Sequence, residues 1–186
     1  MHINGPPMFD KHLNRFREGF KKRSSAINEL GFVYKRLERL LPALVRRVRE
    51  PALTEVLRDQ HQVDVDSKDR LIRVAQDMGQ PPGACSCKEA NALVEDIYYA
   101  DRSAPNADSR TRGIVQSLKA VRSFLVRTWG RLLDELSMDA LGAFRDEAAA
   151  LQQQEASQHG RLVAFTKELD AHHRQAPGTD DGLRAG

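Results

Sequence analysis

The sequence predicts an all-α protein folded as a helical bundle. Apolar residues recur at spacings of three and four through successive long segments, which is the pattern of one buried face of an α-helix. No segment alternates polar and apolar residues with period two over a useful length, so strands are not expected. Proline and glycine lie between the periodic segments and mark the turns that separate the helices.

The first segment, assigned to residues 1–24, is predicted to be a short amphipathic arm. Its apolar side chains fall on one helix face while basic side chains fill the others; the apolar set is Phe9, Leu13, Phe16 and Phe20. Because an isolated helix of this length is marginal in water, the arm must pack on the bundle, on a second subunit or on a partner. We favour another chain, since the basic residues suit an acidic surface, and so predict a homodimer or an acidic protein partner.

The bundle itself is assigned to residues 25–173, and residues 174–186 are predicted to be a disordered tail. Within it the pattern predicts four long helices and one short helix, at 25–48, 52–78, 88–100, 110–133 and 138–172. Pro42 should kink the first of these helices, because proline removes a backbone donor. Gly79 and the prolines that follow it should stop the second.

Composition is that of a globular domain. The chain has 186 residues, of which 40% are hydrophobic, and no apolar run approaches the roughly 20 residues that span a bilayer. The N-terminus lacks the features of a signal peptide, so a cytoplasmic location without membrane attachment is the default expectation. The formal net charge of +3 is mild, and binding to nucleic acid is therefore kept only as a second alternative.

The two cysteines, Cys85 and Cys87, are separated by one residue. A disulfide across so short a gap would be strained, so they are predicted to be free thiols in a reducing compartment.

The helix predicted at 110–133 contains no Asp, Glu or His. A carboxylate-bridged two-metal site inside a four-helix bundle takes an acidic ligand from every helix, because hard oxygen ligands must surround both ions. One helix without such a ligand leaves a site of this kind incomplete.

From about residue 26 to residue 169 the chain resembles the YciE/YciF family, a branch of the ferritin-like superfamily associated with bacterial stress responses. The resemblance rests on the order and spacing of five features: LLPAL at Leu40–Leu44, Pro51-Ala-Leu-Thr-Glu, Asp69-Arg70-Leu71, Cys87 before Leu93-Val94 and Glu95-Asp96, and Trp129-Gly130. It implies a ferritin-like antiparallel four-helix bundle with an additional short helix.

The resemblance also implies a dinuclear metal site, and here the chain departs from the family. The positions that correspond to family ligands hold other residue types, namely Tyr34, Val63, Ser67, Arg122, Ser123 and Leu125. Glu155 and His159 alone keep ligand chemistry. We therefore expect a non-catalytic scaffold that has lost its metal site, binds no cofactor, and acts in a stress response or in partner binding.

The alternative is an enzyme with a reduced ligand set. His61 and Asp64 share one helix face, as do Glu155 and His159, so the four side chains suggest a site for iron or manganese. Such a site would make the chain a metal-dependent oxidase or a peroxide-handling protein.

Arg122 has two interpretations. If it points inward, its guanidinium can pair with Glu155 or Asp64 and stand in for the ion, because a buried carboxylate needs a cation or a proton. If it lies just off the apolar stripe, its long side chain reaches water instead.

Overall fold

A computed structural model describes residues 8–84, 87–136 and 142–175, except for the side chains of residues 8–20, 22–24, 143, 173 and 175. Within these ranges there are helices and no strands, which confirms the predicted all-α bundle. The helices are α1 (Met8–Arg47), α2 (Pro51–Asp77), α3 (Lys88–Ser103), α4 (Ala107–Leu136) and α5 (Gly142–Gln175).

The predicted arm and the first bundle helix are joined in the single helix α1, which also continues through Pro42. The expected start of a new helix at Ser25 is therefore wrong. Lys21 to Ile27 contains no proline or glycine, so nothing in this stretch forces a break. The four apolar arm residues, Phe9, Leu13, Phe16 and Phe20, lie outside the described side chains, so their contact with a partner stays a prediction.

The four long helices form a ring. α1 packs against α2 and α4, and α5 also packs against α2 and α4, while α3 lies on the α1–α4 edge. Short connections join α1 to α2 and α4 to α5, as in antiparallel helix pairs. The single long connection, which contains α3, runs from α2 to α4.

Ion pairs between neighbouring helices show their relative orientation. The residue number increases along one helix as it decreases along the other in the α4–α5 pairs Arg112–Asp170 and Arg122–Glu155. The same holds for the α2–α5 pairs Asp59–Arg161 and Arg70–Glu147. Both pairs of helices are therefore antiparallel, and α2 and α4 run in the same direction. α3 carries the chain back between them.

The predicted apolar stripes form the core. On α1 the residues of the stripe from Ile27 to Leu44 are each fully buried, and the same holds on α4 for Ile114, Leu118, Val121, Leu125, Trp129 and Leu132. No helix among the described residues combines the length and apolarity needed to cross a bilayer.

The predicted stop of α2 at Gly79 is confirmed. Gly79 has a φ of +66°, a conformation that glycine adopts without strain, and its amide donates to the carbonyl of Gln76. The amide of Gln80 donates to the carbonyl of Ala75, which completes the cap. Gly31 on α1 leaves room for the chain that follows α2. A Cβ atom at Gly31 would lie 3.0 Å from the Cβ atom of Pro82.

Candidate functional site

A cluster of polar side chains lies inside the apolar core, at the middle of the four long helices. Each long helix contributes to it: Tyr34 from α1, Gln60 and Asp64 from α2, Arg122 and Trp129 from α4, and Glu155 and Gln158 from α5. Asp64, Arg122 and Glu155 are 0% exposed. Ionised groups buried to this degree persist only when they are paired and hydrogen-bonded. We call these three residues the ionic centre.

Arg122 occupies the middle of the centre. Its Nη1 donates to Asp64 Oδ1 at 2.5 Å and its Nη2 donates to Asp64 Oδ2 at 2.9 Å, so the guanidinium binds this carboxylate with two parallel bonds. Nη1 also donates to Glu155 Oε2 at 2.9 Å. The structure therefore supports the inward interpretation of Arg122, paired with both carboxylates rather than one.

The second oxygen of Glu155 belongs to a chain of hydrogen bonds. The Tyr34 hydroxyl donates to Glu155 Oε1 at 2.8 Å and accepts a bond from Trp129 Nε1 at 2.9 Å. With the bonds from Arg122, each carboxylate oxygen of Asp64 and Glu155 accepts at least one hydrogen bond. Both carboxylates are thus satisfied by protein donors, as buried polar groups require.

Two glutamines hold the guanidinium in place. Arg122 Nε donates to Gln60 Oε1 at 2.7 Å. The same amide donates through Nε2 to Gln158 Oε1, so its orientation is determined by both partners. Because Gln60 lies on α2 and Gln158 on α5, these bonds connect the two helices beside the ionic centre.

The surroundings shift the pKa values of three groups. Burial raises the pKa of Tyr34 well above its usual value and the negative charge of Glu155 raises it further, so the phenol remains a neutral donor. Burial would lower the pKa of Arg122, but the charges of Asp64 and Glu155 outweigh it and raise that pKa. Burial raises the pKa of Asp64 to about 7, although Arg122 opposes the rise.

The other positions at which the resemblance implies metal ligands differ in burial. Ser67 and Leu125 are buried, whereas Val63 and Ser123 are half-buried. Ser67 Oγ accepts a bond of 3.4 Å from Gln154 Nε2, a neighbour of Glu155 on α5.

The alternative ligand set is brought together only in part. Asp64 and Glu155 meet through Arg122, while His61 and His159 are half-buried, and neither histidine belongs to the described hydrogen-bond network of the centre. Among the side chains that the structure describes, no three of His, Cys, Asp or Glu are grouped so that they could hold a metal ion.

A dinuclear metal centre of the kind that the resemblance implies does not fit these residues. The guanidinium of Arg122 binds three of the four carboxylate oxygens and Tyr34 binds the fourth. The ligand atoms that such a centre needs are therefore already bound, and a fixed positive charge lies between the carboxylates and would repel a cation.

Sequence reasoning missed the roles of Trp129 and Gln158. The helical spacing of Trp129 from Leu125 and Leu132 predicts an apolar core residue, and it is buried, but its indole N–H is also part of the network. Two signals in the sequence were available. Trp129 follows Arg122 by seven residues and so shares its helix face, and Gln158 lies one turn after Glu155.

Several basic residues of α4 are paired with acidic residues of the same chain. Besides Arg122, Arg112 pairs with Asp108 and Asp170, Arg127 pairs with Glu89 at 2.8 Å, and Arg131 pairs with Glu29. This helix therefore does not present a run of unpaired positive charge.

Comparisons with known proteins agree with the fold. No protein-family model matches the chain, and no curated protein sequence matches it. A solved structure, that of YcfI from Rhodopseudomonas palustris, described as a candidate structural protein, is similar with a TM-score of 0.69. The similarity covers 75% of this chain and 88% of that chain, at 14% sequence identity. At this identity the likeness shows a shared helical fold alone.

Proposed function

We propose that this chain is a non-catalytic, ferritin-like scaffold in which an arginine has replaced a dinuclear metal site. The observation that carries the proposal is the position of Arg122, bound between Asp64 and Glu155 where all three side chains are 0% exposed. The connectivity supports it, since a four-helix bundle with one long crossover connection is the arrangement of ferritin-like folds.

The physical argument concerns the charge of the bundle interior. In carboxylate bundles the metal ions neutralise acidic side chains that converge from several helices. Here Asp64 and Glu155 converge from α2 and α5, and the guanidinium supplies a permanent positive charge with a fork that suits carboxylate oxygens. The side chain can therefore hold the helices together without an ion and without the chemistry that an ion would supply.

The biological role we propose for the scaffold is partner binding, with a stress response as its setting and a homodimer as its working form. Support for the partner comes from the sequence of the arm and from the length of α1. Its 40 residues exceed the 27 of α2, which implies an overhang of about 20 Å at 1.5 Å per residue. Among the described side chains of α1, buried core residues begin at Ala26.

Metal content tests the lost site. Chains produced in medium rich in iron or manganese should retain far fewer than two ions each after exhaustive dialysis, measured by elemental analysis. The double variant Asp64→Asn/Glu155→Gln is the control for ions bound elsewhere on the surface, and it should retain as little. Nearly two tightly held ions in the natural chain, lost in the double variant, would contradict the proposal and favour the oxidase.

Removal of residues 1–23 tests the role of the arm. We expect a chain that still unfolds cooperatively, because the described core begins beyond the deletion, but whose mass in solution shifts from dimer towards monomer. Sedimentation or light scattering measures the mass. Loss of cooperative melting would instead assign the arm to the protomer's own core.

A matched pair of full-length variants separates the two properties of the arm. Serine at Phe9, Leu13, Phe16 and Phe20 removes the apolar stripe, and glutamine at Lys11, Arg15, Lys21 and Lys22 removes charge. The first change should weaken the dimer at any salt concentration. The second should weaken it mainly at low salt, where charge attraction is least screened.

A further inference from the structure

The ionic centre contains more negative than positive charge. Arg122 supplies one positive charge, whereas Asp64 and Glu155 supply two negative charges when both are ionised. All three side chains are 0% exposed, so solvent cannot screen the remaining negative charge. Burial of an unpaired charge is costly, and the usual result is that the group binds a proton instead.

The groups that face the centre from each helix do not supply the missing charge. Tyr34 faces it from α1 and Gln158 from α5, and both are neutral. On α2, Arg70 binds Glu147 at 2.6 Å and Gln154 at 2.9 Å. His61 and His159 are half-buried one turn from Asp64 and Glu155, outside the network described for the centre.

We propose that the Asp64–Arg122–Glu155 centre is a buried proton-binding site, which takes up one proton from solvent and releases it as the pH rises. The proton forms an O–H bond on a carboxyl oxygen, and no other covalent bond is made or broken. The proposal rests on the proposed function, because a bound metal ion would otherwise neutralise the carboxylates.

The electrostatics of the site agree with this geometry. Burial raises the pKa of Asp64 to about 7, Arg122 opposes the rise, and the charge of Glu155 reinforces it. The two carboxyl groups share the guanidinium of Arg122, so the charge of Glu155 lies close to Asp64.

The sign of the effect on stability follows from linkage. A carboxyl group whose pKa is higher in the folded than in the unfolded chain binds more protons when folded. Between about pH 4 and about pH 7 the folded chain therefore holds a proton that the unfolded chain has lost, and stability from this site falls as the pH rises through that range. The site thus makes the folded bundle more stable in mildly acidic solution than in alkaline solution.

The chain contains its own reporter of the site. It has one tryptophan, Trp129, which is buried and hydrogen-bonded to Glu155 through the Tyr34 hydroxyl. A change of charge on the carboxyl pair should therefore alter tryptophan emission. Histidines also change charge near neutral pH, so the parent for the experiment is the full-length chain with His61→Gln and His159→Gln, freed of metal by a chelator.

The test is a fluorescence titration from about pH 5 to about pH 9. We expect a one-proton transition of Trp129 emission near pH 7 in the parent, and a melting temperature that falls as the pH rises to about 7 and is level above it. Both should be absent from Asp64→Asn. In Tyr34→Phe the emission change should shrink while the fall in melting temperature remains. This variant removes the hydroxyl that links Trp129 to Glu155 but leaves both carboxyl groups.

Infrared spectroscopy of the parent alone provides a second measurement, which does not depend on any variant folding. The stretch of a buried protonated carboxyl group should be present near pH 6 and lost near pH 8.5. If the parent is helical throughout yet shows neither this band nor the emission transition, the proton site is overturned. Metal retained through the chelator treatment would instead overturn the proposed function, so the two failures are distinguishable.

Discussion

Arg122→Ala should lower the free energy of unfolding by about 3 to 5 kcal/mol, measured by denaturant titration at neutral pH. The loss arises because Asp64 and Glu155 would remain 0% exposed without the guanidinium that binds three of their four oxygens. Gln60 would also lose the donor to its amide oxygen. A cavity the size of the removed side chain adds to the effect.

The same helix offers a matched control. Arg127 on α4 also forms an ion pair, with Glu89, but both side chains are about 60% exposed. Arg127→Ala should change stability by no more than about 0.5 kcal/mol, because exposed pairs contribute little. Equal effects at the two positions would show that the Arg122 pair does not behave as a buried one.

The helices and their buried faces could be predicted from the sequence because both depend on local regularities. The spacing of Ile114, Leu118, Val121 and Leu125 selects one face of α4 whatever the neighbouring helix is. Gly79 stops α2 through its own backbone conformation. The expected helix start at Ser25 was wrong because serine occurs both at the start of helices and within them. Only a proline or glycine immediately before Ser25 would have indicated that the helix begins there.

The ionic centre could be predicted only as a pair of alternatives. Arg122 follows Val121 on α4, at the margin of its apolar stripe, and from there the side chain can turn inward or reach water. The direction depends on Asp64 and Glu155, which are 58 and 33 residues away in the chain. Sequence periodicity describes only residues close together in the chain. The direction of the Arg122 side chain is determined instead by the carboxylates that α2 and α5 place at the same level of the bundle.

The resemblance to metal-binding proteins was informative through the residues that differ. The resemblance implies a ligand at the position of Tyr34, and in the structure its hydroxyl donates a hydrogen bond to Glu155. Tyr34 and Arg122 act together in the structure, since each donates a hydrogen bond to a different oxygen of Glu155. The resemblance taken at one position at a time does not predict this joint role.

The ionic centre can determine which helices pack together without adding much to the free energy of unfolding. In that case, removal of all three charges should lower the free energy of unfolding far less than removal of one. The triple variant Asp64→Leu/Arg122→Met/Glu155→Gln leaves no buried charge at the three positions. The amide oxygen introduced by Glu155→Gln can still accept the hydrogen bond of the Tyr34 hydroxyl. We expect its stability to lie within about 1 kcal/mol of the natural chain, because apolar groups often replace buried ion pairs at no net loss.

The triple variant should therefore recover most of the stability that Arg122→Ala loses, and it should unfold with the same dependence on denaturant concentration as the natural chain. It should also lose the dependence of stability on pH that the carboxyl pair produces, since no titratable group remains at the three positions. A triple variant as unstable as Arg122→Ala would mean that the hydrogen bonds of the centre, and not the balance of its charges, hold α2, α4 and α5 together. The stability of this bundle would then depend on an arrangement that apolar packing cannot replace.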